Sequence, residues 1–159
     1  MQKAMSIDIS PRVFIKNMKA EDRPNVADNA IDIRTCIVIK NCGKTEAKNV
    51  RLPYTIKYKE KEIEGVKGPF QYLFPEQESS YYTKFFSIPL SPEQNPLLKK
   101  AAESGKKLNL SDFKEMFRPF RLDIKVEYED LDGNTFSTPY SYQFSAQHKI
   151  WVYTGMGIK

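Results

Sequence analysis

Between Pro119 and Asp130 apolar and polar residues alternate without a break. Phe120, Leu122, Ile124, Val126 and Tyr128 share one parity, and Arg121, Asp123, Lys125, Glu127 and Glu129 share the other. Successive side chains of an extended chain point to opposite faces, so this pattern predicts a strand with one dry and one wet face. Strands of a parallel sheet are buried on both faces and read as continuous apolar runs; alternation therefore predicts an antiparallel sheet. Leu131-Asp132-Gly133-Asn134 follows, with Asp and Gly suited to the positive φ of a tight turn. Alternation then resumes at Phe136, Thr138, Tyr140, Tyr142 and Phe144, which makes the pair a β-hairpin.

The same rule predicts a strand over Ile31–Lys40, with Ile31, Ile33, Ile37 and Ile39 inward, and another over Asn49–Lys59, with Val50, Leu52, Tyr54, Ile56 and Tyr58 on one face. Pro53 has no N–H for a ladder, which marks the second as an edge strand or one carrying a bulge. Asn41-Cys42-Gly43-Lys44 reads as the turn between them. Weaker strand signals lie at Ile7–Lys16, Phe70–Phe74, Tyr81–Ile88 and Lys149–Tyr153. Seven or eight short strands separated by turns point to a sandwich more than to a barrel, although alternation does not itself separate the two.

Residues 90–117 break the pattern. Ser91-Pro92 and Asn95-Pro96 are helix starts with Pro at the first helical position, Gly105 is placed to end the helix, and Ser111 is placed to cap a shorter turn. We therefore expect a helical insertion before the last hairpin. With 159 residues and no linker or repeat, residues 1–159 form one domain.

The chain carries 25 basic and 20 acidic residues, a net charge of +5. Its lysines (Lys57, Lys59, Lys61, Lys99, Lys100, Lys106, Lys107) are scattered among acids rather than gathered into the stripe of a nucleic-acid binder, so no nucleic acid is expected as partner. No run of 18 apolar residues exists to span a bilayer, and Met1–Ser10 lacks the apolar stretch of a signal peptide. Cys36 and Cys42 stand about 20 Å apart if the strand between them is extended, too far for a disulfide.

Chemistry-bearing motifs are sparse. His148 is the single histidine and has no cysteine cluster to complete a zinc site, nor a Gly-x-Ser-x-Gly elbow to complete a hydrolase. Ser111-Asp112-Phe113-Lys114 matches Ser-x-x-Lys but lacks its companion motifs, and helix capping accounts for it. Glu129, Asp130 and Asp132 cluster around the Asp-Gly turn without the ligand spacing of a calcium loop. No catalytic residue, cofactor or metal is expected.

Aromatics are abundant, with nine Tyr and ten Phe. Tyr72, Tyr81, Tyr82, Phe85 and Phe86 form the candidate binding surface, with Phe74, Tyr140 and Tyr142 as further aromatics. Adjacent pairs such as Tyr81-Tyr82 and Phe85-Phe86 point to both faces of a strand, so one of each lies outside the inner core layer. Either the helical insertion covers these rings, or they form a contact surface, since tyrosine is enriched at interfaces.

Ile37 through Val50, with its strand, Asn-Cys-Gly turn and Ala47-Lys48-Asn49-Val50, resembles bacterial immunoglobulin-like domains such as the CARDB-type adhesion modules. The later Leu90–Gln94 stretch, the Gly-ended helix and the hairpin Tyr128–Thr138 are similar to the soluble domain of a group of bacterial proteins, often membrane-anchored. The resemblance covers roughly residues 30–145. It implies an Ig-like antiparallel β-sandwich with an accessory or interaction role; this sequence departs from that group in having no adjoining hydrophobic helix.

The expected function is thus non-catalytic protein binding through the helical insertion and the aromatic surface. The alternative is a carbohydrate-binding module that uses exposed tyrosines. An edge strand would also offer a route to a homo-oligomer.

Overall fold

A computed structural model describes residues 9–105 and 108–155 of the chain. Nine strands are present among the described residues: β1 (Val13–Asn25), β2 (Ala30–Asn41), β3 (Ala47–Tyr58), β4 (Lys61–Leu73), β5 (Glu78–Tyr82), β6 (Phe86–Pro89), β7 (Phe120–Glu129), β8 (Thr135–Ser145) and β9 (Ile150–Gly155). Every pairing is antiparallel, as the alternation requires. The insertion holds a helix, α1 (Asn95–Ser104), and two 3-10 turns, Pro92–Gln94 and Leu110–Phe113. No helix among the described residues is long and apolar enough to cross a membrane.

The strands follow one path, β4-β3-β7-β8-β9-β1-β2-β5, with β6 also on β2. Its two ends come round to meet: Phe70 of β4 stacks on Tyr81 of β5 with ring centroids 3.8 Å apart and planes within 15°. The sheet is therefore nearly closed. Hydrogen bonding along the path is uneven, because β1 and β9 share a single paired position, Lys19 with Ile150. Phe120, Leu122, Ile124 and Val126 of β7 and Ile31, Ile33, Ile37 and Ile39 of β2 fill the interior, all buried. Full burial of one such side chain contributes about 1.5–3 kcal/mol, so these two alternating strands carry much of the core.

The insertion plugs this interior. Leu98 of α1, and Leu108, Leu110, Phe113 and Phe117 after it, are all buried in the core, with Phe117 against Phe120 and Phe144. Gly105 ends α1 in a left-handed conformation, φ +64°, as its position predicts. The cap of the second turn is Asn109 rather than Ser111. The Asn109 carboxamide oxygen accepts from both the Ser111 N–H (3.3 Å) and the Ser111 hydroxyl (2.5 Å).

Other expectations are corrected in detail. Pro53 does not lie on an edge strand, since β3 runs between β4 and β7. The predicted irregularity is there: the register slips between Val50 and Leu52 on the β4 side and between Lys48 and Arg51 on the β7 side. The first strand runs to Asn25 rather than ending at Lys16, while the beginning of the expected Ile7–Lys16 strand lies outside the described residues. A bulge between Ile15 and Asn17 moves the inward parity from Val13 and Ile15 to Met18 and Ala20, which erases the alternation a reader would follow. β4 begins at Lys61, well before the expected Phe70, because β3 turns into it through Lys59-Glu60, with Lys59 at φ +53° in place of a glycine. The insertion is followed by two hairpins, β7-β8 and β8-β9, so the predicted hairpin is not the last.

Candidate functional site

The expected strand Tyr81–Ile88 is split in two, and the split builds the site. β5 and β6 both pair with β2, with Tyr82 opposite Cys36 and Phe86 opposite Ile33. Thr83, Lys84 and Phe85 thus span what Arg34 and Thr35 span on the partner, one residue more. An extra residue in one strand is a bulge, and it reverses the parity of everything after it. Tyr81 and Phe86 consequently point inward and Tyr82 and Phe85 both point outward. Thr83 seals the bulge: its N–H donates to the Thr35 carbonyl (2.9 Å), and its hydroxyl accepts from the Thr35 N–H (2.9 Å).

On the outer face Tyr82 and Phe85 are overlaid by arginines from the neighbouring strands. The Arg34 guanidinium of β2 lies 4.3 Å from the Tyr82 ring centre and 5.0 Å from that of Phe85. Arg23 of β1 lies 3.8 Å from Phe85. Each guanidinium is also held by a carboxylate, Arg34 by Glu21 (Nε to Oε2, 2.8 Å) and Arg23 by Asp32 (Nε to Oδ2, 3.1 Å). Asp32 is buried although it faces outward, and it also accepts from the Ser87 hydroxyl at 2.6 Å. The Glu21 carboxylate, and then the Cys36 thiol beside the phenol, push the Tyr82 pKa up. The result is a pad of two aromatic rings and two flat cations, locked in place by stacking and ion pairs.

The five sequence-predicted residues therefore separate. Tyr82 is 40% exposed and belongs to the pad with Phe85. Phe86 is 1% exposed and sits in the core against Tyr58 and Phe120, so it is not part of any surface. Tyr81 is partly buried in the stack on Phe70. Tyr72 is 46% exposed and stands apart, 6.2 Å from the Phe74 ring. Tyr142 is buried, and Tyr140 lies partly buried beside it. The groups seen over Tyr82 and Phe85 are the arginines. Arg23 and Arg34 were missed in the sequence because nothing in their own strands marks them. The available signal was Glu21 and Asp32, charges of opposite sign on segments that pair.

The other motifs have structural roles. The Asp130 carboxylate accepts from the Asn134 side chain (2.8 Å), the Asn134 N–H (2.8 Å) and the Asp132 N–H (3.0 Å), which lower its pKa. That geometry is a turn. His148 is exposed on the turn between β8 and β9. Both cysteines are free thiols. No cluster of metal-ligating side chains occurs among the described residues.

A family model described as "Domain of unknown function (DUF8453)" matches residues 5–148. The chain belongs to that family. The bulge, the arginine-aromatic pad and the insertion all fall within the DUF8453 match. Among solved structures, the chain is similar to the crystal structure of the "Putative ApaA Protein from Bordetella pertussis", at 12% identity and a TM-score of 0.52, over 81% of this chain and 88% of that one. At that identity the likeness concerns the fold alone. A protein from Archaeoglobus fulgidus aligns over 83% of this chain and 98% of its own at 16% identity, with a TM-score of 0.37. No curated protein sequence matches the chain.

Proposed function

We propose that this DUF8453 chain is a non-catalytic protein-interaction domain whose contact surface is the Arg23, Arg34, Tyr82 and Phe85 pad. The observation that carries this reading is the rigid display of two arginines on two outward aromatic rings. Tyr and Arg are enriched in binding hot spots, but a free arginine side chain loses considerable rotamer freedom when it is ordered. Here each guanidinium is already ion-paired and stacked on a ring, which reduces the ordering left to binding. Helix α1, which packs against β1, adds the exposed Leu97.

The framework for this pad is, in our reading, an Ig-like sandwich of the kind the sequence resembles. In support, the path is joined at one end by a single β1-β9 position and at the other by side chains of β4 and β5. The remaining pairs fall into two groups, β4-β3-β7-β8-β9 and β1-β2-β5/β6, that face each other across the core. The chain crosses from one group to the other at β2 to β3, at β4 to β5 and again at β6 to β7.

Affinity capture tests the function, with the full chain run beside Tyr82→Ala and Phe85→Ala in extract of the source cells. The reading requires the captured partner to be lost from both variants while their unfolding midpoints stay near the parent's. Undiminished capture by both variants overturns it.

A carbohydrate-binding role is favoured by one observation only: Tyr72 and Phe74 on and just after β4 are both about half exposed, with ring planes within 23° of parallel. Glycan-array binding that disappears in Tyr72→Ala would support that reading over the first.

A further inference from the structure

β1 and β9 part company immediately after they meet. Beyond the paired Lys19 and Ile150 and the bond from the Ala20 N–H to the Lys149 carbonyl (3.0 Å), β1 continues through Val13–Met18 with β2 as its only strand partner among the described residues. β9 continues to Gly155 with β8 as its only further strand partner among the described residues. Each strand carries an irregularity at this point, between Ile15 and Asn17 on β1, and opposite Ser141 and Tyr142 on β9. Bulges bend strands and end pairing, so the chain itself keeps the two edges apart.

A notch of about 410 Å³ lies between them, lined by Ile15, Met18, Tyr140, Tyr142, Trp151 and Tyr153, together with Lys16, Asn17 and Ile150. Tyr153 stands edge-on to Tyr140 and Tyr142, at 6.0 and 5.7 Å, and forms a side wall. It is 50% exposed, and Val152 beside it is 47% exposed. The one lysine of the lining, Lys16, is ion-paired with Glu78 of β5, and the exposed Lys19 stands at the closed end of the notch.

A sheet edge specifies its occupant more closely than an apolar face does, because its backbone groups are satisfied by another extended chain. The aromatic walls fit one apolar side chain of that chain, and the exposed Lys19 favours one acidic residue at the closed end. We propose that the notch is a docking site for an extended segment of a partner protein. That segment adds to the free edge of β1 over Val13–Met18, seats an apolar side chain among Tyr140, Trp151 and Tyr153, and carries an acidic residue at the Lys19 end. This site is separate from the arginine-aromatic pad, which lies on the face of β1 and β2 rather than on an edge.

The test is selection of short random peptides on the full chain, followed by synthesis of the enriched sequences. The proposal expects extended peptides with an apolar anchor and an acidic flank, whose binding slows amide exchange within Val13–Met18 and weakens about tenfold with Tyr153→Ser. N-methylation of the peptide at alternate backbone nitrogens must abolish binding, a readout that needs no folded variant. Tyr82→Ala must leave binding unchanged, so failure of the pad and failure of the notch are told apart. An empty selection overturns the proposal, as do peptides that tolerate N-methylation at every position or that protect amides elsewhere.

Discussion

The indole N–H of Trp151 donates to the hydroxyl of Thr35 across the interior, at 2.7 Å and between residues that are 5% and 1% exposed. The bond ties β9, held weakly along its β1 edge, to the central strand β2. Thr35 in turn exchanges backbone and side-chain bonds with Thr83 at the bulge that sets the pad.

Trp151→Phe and Thr35→Val should each lower unfolding free energy, by about 1–3 kcal/mol for the buried polar group left without a partner. The double variant should cost less than the sum, because it leaves neither group orphaned. Urea denaturation followed by circular dichroism checks this; strict additivity would show that the bond is not the link between the strands.

Gly65 lies beneath the Tyr54 ring, so a Cβ there would fall 2.4 Å from its Cζ and hydroxyl oxygen. That hydroxyl accepts from the Lys84 N–H at 3.1 Å and cannot swing away without losing the bond. Gly65→Ala should therefore cost about 1–3 kcal/mol as overpacking. Gly133, at φ +85° with open space around it, should cost about 1 kcal/mol as Gly133→Ala, from backbone strain alone. Thermal melts of the two variants should separate the mechanisms, since Tyr54→Phe removes the bond that pins the ring and should soften only the first.

The phenol of Tyr142 is pushed up by burial first and then by Tyr140 and Tyr153. An unfolded phenol ionises near pH 10, whereas the folded one keeps its proton. Its contribution is full below that pH and is lost as pH rises toward the folded value. The chain should lose stability on the alkaline side faster than Tyr142→Phe does, as read by denaturant midpoints across that range. Parallel curves would contradict the assigned cause.

Ser87→Ala should cost about 1–2 kcal/mol, because the buried Asp32 carboxylate loses a charge-assisted bond. Asp32→Ala should cost more and should also loosen Arg23 from Phe85, visible as altered side-chain resonances of that arginine. Unchanged Arg23 signals would mean that stacking alone holds it.

The sequence was most legible where one parity persists. β2, β3, β7 and β8 were placed nearly to their ends because Ile31–Ile39, Val50–Tyr58, Phe120–Tyr128 and Phe136–Phe144 alternate with little interruption. It was least legible where an added residue resets parity, at Ile15–Asn17 in β1 and at Thr83–Phe85 between β5 and β6. β4 was masked by a different cause, since Lys61–Gly68 holds few apolar residues and pairs by backbone. The candidate site shared this fate: the aromatics of Tyr81–Phe86 were visible, but which of them face outward depends on a bulge with no local signature. The arginines that complete the pad come from strands some fifty residues earlier, and only the pairing brings them near.

The account rests on the Tyr82 face being where a partner sits. A photo-crosslinking side chain placed at position 82, and in a separate variant at the exposed Val66 of β4, tests this directly in living source cells. We predict a discrete cross-linked species from position 82, lost when Arg34→Ala is added, and none from position 66. No adduct at position 82, or the same adducts from both positions, would contradict the assignment of this face as the binding surface.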